Sequence, residues 1–425
     1  MKAFGEYARA VTNLGPHAWR FLLFSTFSSV GWSMFNLNFN LYLYALGYKQ
    51  DFIGILNGLP SLAILALGLP IGMMADRKGY VKFLVAGAVL TTLSSLGLAL
   101  SVTRSALLLY SFLSGLAGAA SWVVGAPFLM SISKPEERVY LFSVQSAIMM
   151  GTGFFGSLLA GAVPDYLAGR WGVSSTAVMP LRVALLINVL FALLGTLTLL
   201  GMKESKPGAS AAPGQRTTHP LPRTGKEMVL FIKLLGPQAM VALGAGAMVT
   251  FFQLFFNLRF GMEPGKIGTV FAFSSVTTML ATLVAPLLSG RLGRVRTVVV
   301  TELLSIPFLL TLAYSANVGM VVSSYYLRTA LMNMAGPIQQ TFVLEQVDER
   351  QRATLTSLGA MLGSLGRGGI GPIISGYLQV VSGFSLAFTF TTICYVIGAL
   401  LFWFFFRRAD GAPPASLRLA SKTLV

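Results

Sequence analysis

Residues 33–41 read SMFNLNFNL, and residues 250–258 read TFFQLFFNL. Laid over each other at an offset of 217, they match at Phe35/Phe252, Leu37/Leu254, Phe39/Phe256, Asn40/Asn257 and Leu41/Leu258. Ser33 meets Thr250, and Asn36 meets Gln253. Further along, DFIG at 51–54 meets GKIG at 265–268, DRKGYVK at 76–82 meets GRLGRVR at 290–296, and RVYLFS at 138–143 meets RATLTS at 352–357. These three pairs share an offset of 214. The step from 217 to 214 fits a first external loop that is shorter in the second copy. A register held over so long a stretch is much harder to obtain by chance than any one match. The chain therefore reads as a tandem duplication.

What is duplicated follows from composition. The 425 residues are 55% hydrophobic and only 11% charged, with 31 Phe, and the mean hydropathy is +0.73. That excludes an ordinary soluble domain and indicates a polytopic membrane protein. Apolar runs of about 20 residues, the length that crosses a bilayer, fall near 21–46, 52–75, 82–102, 105–132, 141–164, 179–202, 230–258, 267–289, 297–316, 318–344, 354–380 and 383–406. The expected fold is all-α: twelve transmembrane helices in two pseudo-symmetric six-helix bundles, 1–202 and 228–408. A polar linker rich in Pro, Gly and Ser spans 203–227, and a tail covers 409–425. Such a linker cannot bury a core and reads as flexible. The basic start runs into a span too long for a cleavable signal peptide.

Lysine and arginine set the orientation. With the amino terminus in the cytoplasm, only Lys49, Arg104, Arg170, Arg182, Arg259 and Lys266 of the 31 basic residues fall in external segments, while Arg328 and Arg367 fall inside spans. Both termini are expected inside a plasma or inner cell membrane. The formal charge of +17 is then mostly topology signal and calls for no nucleic-acid partner. One cysteine, Cys394, excludes an internal disulfide framework, and two histidines, His17 and His219, leave little for metal or imidazole chemistry. No metal or cofactor is expected, and no Walker loop points to ATP.

Asn36 and Asn40 lie four apart on one helix face, with Asn38 pointing elsewhere. An amide without a partner in hydrocarbon costs several kcal/mol, roughly 2–7. Asn36, Asn40 and their mates Gln253 and Asn257 are expected to line a solute cavity between parallel repeats, near mid-membrane. The competing reading is helix glue within each bundle. Ionisable residues at depth are costly and usually functional. The second half carries three: Glu302, Arg328 and Arg367. Glu302 is a proton-coupling candidate or the partner of Arg296 or Arg367. The guanidinium fork suits a carboxylate or phosphate, so Arg328 and Arg367 are expected to meet an anion on the solute. Asn333, Gln339 and Gln340 would complete the site, with Tyr325, Tyr326 and Trp122 as walls.

The stretch GMMADRKGYVK at 72–82 resembles the G-x-x-x-D-R-x-G-x-x-K signature of the major facilitator superfamily, in the same place between spans 2 and 3. The resemblance implies an alternating-access transporter in which Gly72, Asp76, Arg77, Gly79 and Lys82 form a cytoplasmic latch. Asp76 would approach Arg138 or the start of span 11. The second copy has Gly290 where the acid should be, and Glu345 is expected to pair with Arg291 instead. GLAGAA at 115–120 is similar to the end of the family's R-x-x-x-G-x-x-a-a pattern, but Ser111 stands at the arginine position. Span 5 lacks the Gly-Pro of the antiporter motif, which span 11 carries as Gly371-Pro372.

The function expected is secondary active transport of a small organic solute, anionic or amphipathic, with protons as candidate co-substrate. Membrane lipids are the surroundings, and a monomer is expected. The alternatives are a lipid or lysolipid flippase and an efflux transporter for neutral drugs or sugars. No HExxH motif or GxSxG elbow points to an enzyme.

Overall fold

A computed structural model describes residues 15–133, 135–202 and 225–408. The side chains of Asp76, Trp122, Val123, Ala126, Pro127, Ser131, Pro135, Glu136, Glu137, Val139, Arg350 and Ala353 lie outside that description. The expectations for the linker at 203–224, the tail at 409–425, the Asp76 carboxylate and the Trp122 wall therefore fall outside the described residues.

Among the described residues the helices form twelve crossings. Six are α1 (Pro16–Ala45), α2 (Gln50–Lys78), α3 (Tyr80–Leu100), α4 (Arg104–Ile132), α5 (Pro135–Trp171) and α6 (Val178–Leu199). The seventh begins at Gly225, inside the stretch assigned to the linker. It is split into α7 (Gly225–Val249) and α8 (Phe252–Phe260). Then come α9 (Pro264–Leu292) and α10 (Arg294–Tyr314). The tenth crossing is broken at Ala335 into α11 (Val318–Met334) and α12 (Gly336–Glu345). The eleventh runs α13 (Glu349–Ser364), a π-helical turn (Leu365–Ile370) and α14 (Gly371–Ser382), and α15 (Phe384–Phe406) ends the series. Eight of the helices are each long and apolar enough to cross a membrane by length and composition.

The duplication is written into the backbone. Gln50–Lys78 and Pro264–Leu292 begin and end at the 214 offset, as do Tyr80–Leu100 and Arg294–Tyr314. Gly47 and Gly261 stand at that offset with φ +88° and +62°, and Gly79 and Gly293 with +98° and +88°. These are turn positions where a Cβ would collide with the backbone, so glycine is retained in both copies. Side chains repeat the pattern too. Arg138 Nη2 donates to the Met130 carbonyl at 3.3 Å, and Arg352 Nε donates to the Leu344 carbonyl at 3.1 Å. Each arginine thus serves a carbonyl at the carboxyl end of the preceding helix, where the helix dipole favours a cation.

Among the described residues the structure forms two compact units. The first holds α1–α6 together with Gln253–Ala272, and the second holds α7 through Phe252 and everything from Phe273 onward. In the first unit α1 packs on α5 and α6, and α3 packs on α4 and α6. Its core at one end includes Phe21, Leu84, Phe128 and Leu141. In the second unit α7 packs on α13, the π turn, α14 and α15, while α10 packs on α11 and α15. Phe231, Val298, Phe342 and Phe402 belong to its core.

Candidate functional site

The structure separates the asparagines of α1. Asn36 is exposed. Asn38 is fully buried, and its amide donates to Met34 O at 3.0 Å and across to Ala160 O of α5 at 2.9 Å. It ties two helices together. Asn40 is also buried and accepts from Asn57 Nδ2 of α2 at 2.8 Å. The single open stripe expected for Asn36 and Asn40 is thus divided. Four residues turn a helix by about 400°, leaving a 40° offset, and α2 covers the Asn40 side of it. Gln253, the repeat mate of Asn36, donates from Nε2 to the Asn36 carbonyl at 3.1 Å. Asn257 Nδ2 donates to Met262 O at 3.0 Å and closes the turn after α8.

Arg328 sits on α11, ten residues past its start, about 15 Å along the helix at 1.5 Å per residue. It is 3% exposed. Its guanidinium carbon lies 5.6 Å from the Phe252 ring centre and 5.4 Å from that of Tyr395. Nη2 donates to the Tyr395 hydroxyl. Tyr325 is buried beside it, edge-on to Phe252 at 4.9 Å. Asn333 is exposed and donates to Thr329 O at 2.7 Å. Gln339 is half-buried and Gln340 exposed on α12, just past the break at Ala335.

Arg367 is exposed on the π turn. Glu302 is 4% exposed on α10, and its Oε2 has no hydrogen-bond partner among the described residues. The expected pairing with Arg296 or Arg367 is not formed. Arg296 is six residues away, about 240° round the helix, and it is exposed where Glu302 is buried.

At the signature turn, Gly79 is buried with positive φ, while Arg77 and Lys82 are exposed and Gly72 is half-buried. In the second copy Glu345 pairs with Arg294, not with Arg291. The reason is that α12 packs against α10, which Arg294 begins, whereas Arg291 lies in the last turn of α9.

Two features were missed by the sequence reading. One is Asp165, just past the expected end of span 5. Its Oδ2 accepts from the backbone N–H of Gly265 at 3.0 Å. Beside it the backbones of α5 and α9 touch. A Cβ on Gly161 would come within 2.3 Å of Pro264 O, and one on Gly268 within 2.4 Å of Ser157 O. The repeat alignment, which pairs Asp51 with Gly265, touches the N–H donor of this contact but not the carboxylate that accepts from it. The other is Tyr395, whose ring and hydroxyl hold Arg328. An aromatic in an apolar run carries no sequence signal for that role.

A duplicated, twelve-crossing helical membrane protein with charges held at depth is a solute-carrier architecture. A family model for the Major Facilitator Superfamily matches residues 21–369 and again 239–424, and the chain belongs to that superfamily. Among solved structures, a bacterial homologue of the human lysosomal transporter Spinster, in an inward-facing and unoccupied conformation, aligns with a TM-score of 0.76. It is 17% identical, and the alignment covers 93% of this chain and 98% of that one. The nucleoside transporter NupG aligns at 0.71 with 16% identity, covering 91% and 98%. The human organic anion transporter MFSD10 aligns at 0.60 with 15% identity, covering 91% and 99%. No curated protein sequence matches the chain.

Proposed function

We propose that this superfamily member is a secondary active transporter that carries a small organic solute bearing an anionic group through the cell membrane by alternating access. The observation that carries the reading is the contact at Asp165. Gln253–Ala272 belong to the second repeat by sequence, yet they group with the first unit. The crossing of α5 and α9 is close, and a charge-assisted bond there involves a half-buried carboxylate at a helix start. A carboxylate at that position contributes about 0.3–1 kcal/mol when exposed and up to about 2 when partly buried. A gate that opens in every cycle needs contacts of that size.

The charges inside the membrane support solute and ion handling. Ionisable residues at depth are costly and mark substrate or proton paths. The fold of this chain is shared with a nucleoside transporter and an organic anion transporter, so fold alone does not choose the substrate. Arg367, exposed in the second unit, favours the anion. Glu302 is the group that carries a coupled proton, because its carboxyl pairs with no cation among the described residues.

Counterflow in proteoliposomes tests the reading. A labelled organic carboxylate or phosphate ester should be taken up into vesicles preloaded with the same compound. Imposing a pH gradient should drive accumulation. Glu302→Gln should keep counterflow and lose gradient-driven accumulation. Movement of neutral analogues only would overturn the anion reading, and unchanged accumulation by the variant would remove Glu302 from coupling.

A further inference from the structure

We propose that Arg367, and not Arg328, is the cation that grips an oxyanion on the transported solute, while Arg328 is a structural charge of the second unit. The inference rests on the transport reading above and sharpens it.

The two arginines are alike in the sequence and opposite in the structure. Arg328 is 3% exposed and enclosed by two aromatic rings and a phenol hydroxyl, its buried Nε without a hydrogen-bond partner among the described residues. Desolvated cation–π contacts of this kind are among the stronger ones. A solute anion has no access to a guanidinium enclosed in this way.

Arg367 lies near the middle of its crossing, 18 residues after Glu349 and 15 before Ser382, about 22–27 Å from the two ends at helical rise. It is exposed, and its side chain makes no hydrogen bond or ion pair among the described residues. A charged side chain at that depth does not stay against acyl chains; such residues face the bundle interior or water. An exposed guanidinium here therefore faces an aqueous path, with its donors free.

The turn that presents Arg367 is fixed. A Cβ on Gly246 of α7 would come within 2.5 Å of Gly366 O and 2.6 Å of Arg367 O. One on Gly366 would come within 2.8 Å of Leu243 N, and one on Gly371 within 2.5 Å of Gly366 O. The π turn is thus wedged against α7 backbone to backbone, so the Arg367 Cα has a defined position. Single π turns inside α-helices recur at functional sites. A planar, permanently charged fork on such a turn suits a carboxylate or phosphate.

The test uses full-length protein in detergent and follows melting temperature. The probes are benzoate, phenyl phosphate and oleoyl lysophosphatidate, each with a neutral counterpart: benzamide, benzyl alcohol and monoolein. Ligand binding raises stability with log concentration above the dissociation constant. At least one anion should stabilise the wild-type protein more than its counterpart. Arg367→Gln should lower affinity for that anion roughly 10- to 100-fold and leave the counterpart unchanged. Arg367→Lys should retain part of the affinity.

Arg328→Lys and Tyr395→Phe should lower the ligand-free melting temperature while the preference for the anion persists. Tyr395→Phe keeps the ring and removes only the hydroxyl, so it remains informative if substitution of Arg328 prevents folding. A response to the small anions puts the oxyanion on a free solute, and a response to lysophosphatidate alone puts it on a lipid headgroup; either supports the assignment. Full anion preference in Arg367→Gln, or its loss in Tyr395→Phe, would overturn it. So would the absence of any anion preference in the wild type, and in that case counterflow of a neutral solute would leave transport itself standing.

Discussion

Asn36, Asn38 and Asn40 look alike in the sequence and do different things in the fold. Asn38 spends its amide on Ala160 O of a neighbouring helix, and Asn40 meets Asn57. Asn36 remains exposed and lends only its carbonyl to Gln253. The energetic consequence is testable. Inter-helical polar bonds in membranes average about 0.6 kcal/mol and reach about 1.7. Asn38→Ala should therefore lower thermal stability by about 1–2 kcal/mol, because it also opens a small void at a fully buried site. Asn36→Ala should change stability by less than about 0.5 kcal/mol. Parallel unfolding of the two variants in detergent measures the difference, and equal losses would refute the assignment of Asn38 as the helix tie.

At the scale of elements, the crossing of α5 and α9 concentrates the most consequence in the fewest atoms. Gly161, Gly265 and Gly268 let the two backbones meet, and small residues are the usual means of close approach in membranes. Asp165→Asn keeps the shape and removes the charge from the Gly265 bond. Hydrogen exchange in the segment 261–268 should then accelerate several-fold, as expected for a loss of about 0.3–1 kcal/mol. Gly161→Leu is the stronger change, since its Cβ alone would lie 2.3 Å from Pro264 O. Ile267 is fully buried next to this crossing. With Cys394 replaced, a cysteine introduced by Ile267→Cys should resist maleimide in the parent and react when Gly161→Leu is added. Equal labelling in both backgrounds would show that the crossing does not part.

Across the whole molecule, the two copies agree at the turns before and after α2 and diverge where helices break. The ends of α2 and α3, the positive-φ glycines beside them and the Arg138 and Arg352 bonds recur at one offset. Arg138→Ala and Arg352→Ala should therefore destabilise by similar amounts, about 1 kcal/mol each, a hydrogen bond from a charged donor discounted for partial exposure. Melting of the two single variants checks this, and a difference above about 1.5 kcal/mol would argue against equivalent roles. The interruptions at Thr250–Phe251, Ala335 and the π turn lie in the second copy; α1, α4 and α5 run continuously at the corresponding places. Phe252, Arg328 and Arg367 sit at or near these interruptions. The second copy thus carries the broken helices and the charges together.

Periodicity, duplication and turn glycines depend on local chemistry, and that is why the sequence alone determined them. An apolar run of about 20 residues satisfies its own backbone in lipid by forming a helix. A glycine kept at one offset marks the same backbone turn twice. The class of charge was equally legible, because an arginine inside a span is costly wherever it points. Which arginine was enclosed, which acid paired, and which asparagine tied helices together depended on neighbours distant in the chain. Arg328 met Phe252 and Tyr395, Glu345 met Arg294, and Asp165 met Gly265 across 100 residues. Tertiary structure alone decided those pairings, because a helix face is polar or apolar by sequence but buried or open only by what packs against it.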